Sequence, residues 1–192
     1  MIVMITLVAE DIWGFDLEAA LNEISEQRRE QALRFKHLLG QRLCVLAYQL
    51  LKQGLRQHYG ITGNPLFEYN EHGKPSIVGR PEIFFNLSHC REAVVCAISD
   101  QPVGVDVELI RPYKESLARY TMIDDELSAI ESSPDPARTF IRYWTMKEAA
   151  LKLIGTGISN DLKTVLSRPD LRFETVESVE KSYIYTSSCF VF

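Results

Sequence analysis

The chain has 192 residues, 46% of them hydrophobic and 24% charged, an ordinary globular composition that allows one domain or two small ones. A net charge of −5, from 21 basic and 26 acidic residues, excludes the basic surplus of a general nucleic-acid binder. The four cysteines form no CxxC pair, which argues against structural zinc; scattered in apolar runs, they read as small buried hydrophobes in a reducing compartment.

Residues 2–9 are rich in Ile and Val and predict a buried strand. They lack the basic n-region of a signal peptide, and acids arrive at Glu10 and Asp11. No apolar run approaches the roughly 20 residues of a transmembrane helix, so a cytoplasmic protein with no membrane partner is expected. Residues 17–35 read as one helix and 36–59 as a second, leucine-spaced and stopped by Gly60. A loop-rich stretch over 61–82 holds a short strand near 66–69. Strands follow at 82–87, 93–98 and 103–109, the last two joined by a turn at 99–102. The pattern turns helical after Pro112, and the best-marked helix spans 136–154. Asp135 suits its N-cap, Pro136 its first position and Gly155 its stop. The tail from 162 to 192 predicts two or three strands. Helix-plus-strands therefore occurs twice, which predicts two related α+β halves, 1–101 and 102–192.

Four short constellations carry the polar residues with chemical potential. In a strand, Asp106 and Glu108 share one face while Val105, Val107 and Leu109 take the other. Paired carboxylates repel unless a cation lies between them, and such oxygens suit Mg²⁺. Taken alone, a solvated polar strand face explains the pair equally well. On the helix, Glu148 and Lys152 stand four apart beside an apolar stripe of Phe140, Trp144 and Leu151; alone they read as a surface ion pair. Lys147, beside the stripe, reads as well as a snorkelling surface residue. Ser88 and His89 close an apolar strand on opposite faces, so they cannot form a nucleophile–base pair, and no GxSxG turn is present. Gly73-Lys74-Pro75 forms a cationic turn that does not match a P-loop.

In this order the pieces resemble the Sfp-type 4′-phosphopantetheinyl transferase family. The segments are GKP (73–75), FNLSHC (85–90), VGVDVELIRP (103–112) and WTMKEAALK (144–152), followed by GTGI. A looser match covers residues 34–51. The resemblance implies an α+β fold of two similar halves, each a small antiparallel sheet on a long helix, acting as a monomer with coenzyme A in the cleft between them. It implies Mg²⁺-dependent transfer of 4′-phosphopantetheine from coenzyme A to a serine of an apo acyl or peptidyl carrier protein. Asp106, Glu108 and Glu148 would hold Mg²⁺, and Lys152 would meet the pyrophosphate. Glu148 is the candidate base. Ser88 and His89 would contact phosphates of the adenosine end, and Gly73, Lys74 and Pro75 would border the adenine. Lys36, four before the glycine of LLG, falls where a basic residue meets the 3′-phosphate, and Arg28 aligns loosely to a similar part. Cys90 replaces a common serine, and the end at Phe192 leaves room for a second half one strand short. Two other readings compete: another Mg²⁺-dependent phosphoryl-group enzyme, such as a pyrophosphatase or nuclease, and an inactive family member that binds coenzyme A or a carrier protein.

Overall fold

Runs of β-branched residues and two long amphipathic stretches set the architecture. The structure, a computed structural model, describes residues 4–155 and 160–191. The first half runs β1 (Met4–Ala9), α1 (Leu17–Asn22), α2 (Glu26–Leu33), α3 (Leu38–Tyr59), β2 (Phe67–Tyr69), β3 (Pro75–Ile77), β4 (Phe84–His89) and β5 (Val94–Ser99). The second runs β6 (Val103–Leu109), α4 (Glu115–Thr121), α5 (Asp124–Glu131), α6 (Pro136–Ile154), two short 3-10 turns, β7 (Leu171–Ser178) and β8 (Tyr183–Phe190).

Each half holds a three-stranded antiparallel sheet, β1-β5-β4 in one and β6-β8-β7 in the other. In both, the first strand pairs with the last and the middle strand takes the far edge, so the two sheets share one topology. Each carries a long helix, α3 of 22 residues and α6 of 19. The fold is therefore α+β with two similar halves. Among the described residues the second sheet has as many strands as the first. No helix of the described residues is long and apolar enough to cross a membrane.

Strand β5 is buried at every position because both of its faces are covered. Val94, Cys96 and Ile98 pack with Tyr48, Leu51 and Leu55 of α3. Val95 and Ala97 pack with Val103, Val105 and Val107 of β6. Burial on both faces accounts for its unbroken apolar sequence, where a one-faced strand would alternate.

Several boundaries differ from expectation. The helix expected over 17–35 is broken at Glu23, because Ser25 caps a new helix by accepting the Arg28 N–H on its hydroxyl. Serine at such a point satisfies a helix start better than it continues a helix. Strand β4 ends at His89, two residues later than predicted, so Ser88 and His89 are part of it. Helix α6 matches its expected bounds: Asp135 Oδ1 accepts the Arg138 N–H, Pro136 opens the helix and Gly155, at φ 79°, closes it.

Candidate active site

The close approach of α6 to β6 builds the site. A side chain on Gly104 would stand 2.0 Å from the carbonyl oxygen of Ala149, so only glycine lets the helix lie this near the strand. Strand β8 grips the same helix. The Ser188 hydroxyl donates to Ala149 O at 2.9 Å, and the Thr145 and Thr186 hydroxyls bond at 2.9 Å. Glu148 and Lys152 are thereby held over the polar face of β6.

Lys152 Nζ lies 2.6 Å from Asp106 Oδ1, a charge-assisted bond between the two elements. Among the described residues this bond replaces the Glu148–Lys152 surface pair that helical spacing alone predicts. Asp106 is 5% exposed. Its Oδ2, and Oε1 of Glu148, are buried without a hydrogen-bond partner among the described residues. Burial, and then the charge of Asp106, hold the Glu148 carboxyl above the usual range, with Glu108 adding to the effect and Lys152 opposing it. Burial and Asp106 raise Glu108 in the same way, against Arg111 and Lys152. Each of the three acids thus lies within electrostatic reach of the others.

Among the described residues no three His, Cys, Asp or Glu side chains stand as a finished metal cage. The cation touching Asp106 in this structure is the Lys152 ammonium. The donor set nonetheless fits a hard divalent ion, because two buried carboxylate oxygens lack a partner among the described residues and the acids beside them repel.

Glu148 and Lys152 also line a cleft of about 270 Å³ with His72, Gly73, Lys74 and Pro75 from the β2–β3 hairpin. Gly73 turns that hairpin at φ 79°. Lys74 Nζ donates to Leu153 O at 2.8 Å and Asn70 Nδ2 to Gly155 O at 3.3 Å, so the first half caps the end of α6. Burial lowers the Lys74 amine to about 8. A second, open groove of about 670 Å³ is walled by Glu108, Arg111, Tyr113, Tyr120, Phe140 and Trp144.

The other expected residues fall in different places. Ser88 is buried and reaches Asp106 and Lys152, while His89 is exposed, so the two adjacent residues do take opposite faces. Lys36 is exposed in the turn between α2 and α3 and lines neither cleft. Arg28 is not available to a phosphate: its guanidinium is buried and donates twice to Cys44 O and once to Gln31. Lys147 does not snorkel. It is fully buried, with Nζ 2.9 Å from Glu126 Oε2 and donating to Leu162 O and Lys163 O. Residues 156–158 of the GTGI segment lie outside the described residues.

Sequence reasoning gave no part to Gly104, Asn70 or Asn86. Asn86 Oδ1 accepts the N–H of Val105 at 2.9 Å. Its signal was present: Asn86 and Ser88 are polar at alternate positions of an apolar strand, so they share one face. Gly104, a glycine inside a valine-rich strand, likewise signals close approach by another backbone.

The profile of the 4′-phosphopantetheinyl transferase superfamily matches residues 102–187, which holds β6, α6 and all three acids. The 4′-phosphopantetheinyl transferase psf-1 of Bacillus pumilus is 34% identical over 148 residues, 76% of this chain and 64% of its own length. The 4′-phosphopantetheinyl transferase Sfp of Bacillus subtilis (strain 168) is 30% identical, over 74% of this chain and 65% of its own. The match thus spans less than two thirds of these two relatives. The 4′-phosphopantetheinyl transferase AcpT of Salmonella typhi is 31% identical over 145 residues, 65% of this chain and 76% of its own length. With a repeated strand–helix–hairpin topology and three acids gathered between β6 and α6, the chain belongs to the 4′-phosphopantetheinyl transferase superfamily.

Proposed function

We propose that this protein transfers the 4′-phosphopantetheine arm of coenzyme A to a serine hydroxyl of an apo acyl or peptidyl carrier protein, releasing 3′,5′-ADP. One observation carries the proposal: Asp106, Glu108, Glu148 and Lys152 converge beside a cleft that Lys74 also lines. A diphosphate brought there meets two lysines, and acids placed to share a cation with it. The lysine-lined cleft suits the anionic donor, while the open groove beyond Glu108 leaves a way in for the acceptor hydroxyl.

In the reaction the serine oxygen forms a bond to the phosphorus that bears the pantetheine arm. The bond from that phosphorus to the bridging oxygen breaks, and its electron pair leaves with 3′,5′-ADP. Glu148 takes the serine proton, directly or through a water; a carboxyl raised by burial is better matched to that task than an ordinary one. Lys152 offers its ammonium to the negative charge growing on the leaving diphosphate. Asp106, Glu108 and Glu148 would hold Mg²⁺, which, when bound, neutralises pyrophosphate charge. One chain supplies Lys74, Asp106, Glu108, Glu148 and Lys152 together, which supports a monomer. The free cysteines support a reducing, cytoplasmic setting.

Labelling an apo carrier protein from radiolabelled coenzyme A tests this reading. Asp106→Ala and Glu148→Ala should each lower transfer by about 100-fold or more while far-UV circular dichroism stays unchanged. EDTA should stop the wild-type reaction and Mg²⁺ should restore it. Normal labelling by either variant would remove the metal role. Release of 3′,5′-ADP without any carrier protein would point to a different phosphoryl-group enzyme.

A further inference from the structure

Ser88 belongs to the first half, yet its hydroxyl is occupied by the second. It donates to Asp106 Oδ1 at 2.9 Å, and it accepts from the Val107 N–H at 3.2 Å and from Lys152 Nζ at 3.1 Å. A hydroxyl has one proton and two lone pairs, so these three bonds saturate it. The residue is 8% exposed. It stands where two sheet edges meet without a backbone ladder: β4 is the outer strand of one sheet and β6 of the other. The β6 amides of Val105 and Val107 would be orphaned there, and the side chains of Asn86 and Ser88 accept them instead. Among the described residues Asn86 makes its bond to the backbone alone; Ser88 makes the same kind of bond and also holds a carboxylate.

We infer that Ser88 is a positioning residue: it fixes the Asp106 carboxylate through Oδ1 and leaves Oδ2, which has no partner among the described residues, to take the divalent ion. This rests on the reading of Asp106 as a metal ligand. Partners that orient metal ligands commonly contribute about 10- to 100-fold in metal affinity.

The test is titration of the intact protein with Mn²⁺, without substrate, followed by electron paramagnetic resonance. Wild type should bind, and Ser88→Ala should bind about 10- to 100-fold more weakly. Ser88→Cys, which keeps the volume but is a weak donor, should lose affinity in the same direction and serves if Ser88→Ala does not fold. Asn86→Ala loses a comparable backbone bond without touching Asp106, so it should lower thermal stability and leave Mn²⁺ affinity intact. In turnover, Ser88→Ala should lower kcat at limiting Mg²⁺ and recover with excess Mg²⁺, with KM for coenzyme A little changed. Equal Mn²⁺ affinity in folded Ser88→Ala and wild type would overturn the positioning role alone, as would a raised KM for coenzyme A that Mg²⁺ does not repair. Failure of wild type to bind Mn²⁺ would overturn the metal reading, and this inference with it.

Discussion

Lys74 and Arg28 show how little a cation's position in the sequence says about its use. Both come from the first half and both are drawn inward. Arg28 spends its guanidinium on Cys44 O and Gln31, and its planar, weakly hydrated head tolerates that burial. Lys74 carries a compact ammonium into the cleft and, among the described residues, has the single carbonyl of Leu153 to bond. Burial therefore weakens its hold on the proton, to about 8. Between that value and the ordinary lysine range, the unfolded chain keeps a proton that the folded chain has released. Stability from this group then rises with pH across that window, and below it the cost of the buried charge is felt in full. Lys74→Met removes the titration. The Tm of wild type minus that of Lys74→Met should increase from about pH 7 to about pH 10, measured by differential scanning calorimetry. A flat difference would show that the amine is not held below its ordinary range.

At the scale of elements, α6 was legible end to end because its signals are local: a cap at Asp135, a proline at the first position and a glycine stop. Strand β6 was equally plain, and its alternation correctly put Asp106 opposite Val105 and Val107. The rest depended on partners distant in sequence. The α1–α2 break turns on one capping serine inside an otherwise helical pattern. The partner of Lys152 comes from β6, and that of Lys147 from α5, so periodicity along α6 assigned neither. Lys147 is the sharper case. Its ammonium is buried with Glu126, which also accepts the Ile123 N–H and so caps α5. Removing either partner strands the other's buried charge, whereas replacing both with apolar chains removes the two charges together. Glu126→Ala and Lys147→Met should therefore each cost about 3–5 kcal/mol in urea unfolding, and the double variant Glu126→Leu with Lys147→Met clearly less than the sum of the two. Additive losses would mean that the pair acts as ordinary packing.

The whole molecule sets two sheets of the same topology edge to edge and builds its candidate site at the seam. Neither half owns that site. The first supplies Ser88, Lys74 and the hairpin over α6, and the second supplies the acids and Lys152. This division was legible as a repeated helix-and-strand order, but the seam was not, because its contacts join residues that no local pattern connects. They are apolar as well as polar. Val95 and Ala97 on one side share a core with Val105 and Val107 on the other, and the Tyr183 hydroxyl donates to Glu10 across the halves at 2.6 Å. Half-burial of β5 without its neighbour would expose an apolar face, so the halves should unfold together. Each half carries one tryptophan, Trp13 and Trp144, which allows them to be watched separately. In Trp144→Phe and Trp13→Phe variants, the fluorescence transitions of the remaining tryptophan should coincide with each other and with far-UV circular dichroism. Val105→Ser, which puts a hydroxyl into the shared core, should lower both transitions by the same amount. A Trp13 transition that stays in place while the Trp144 transition falls would show that the halves fold independently and that the seam is only a contact between them.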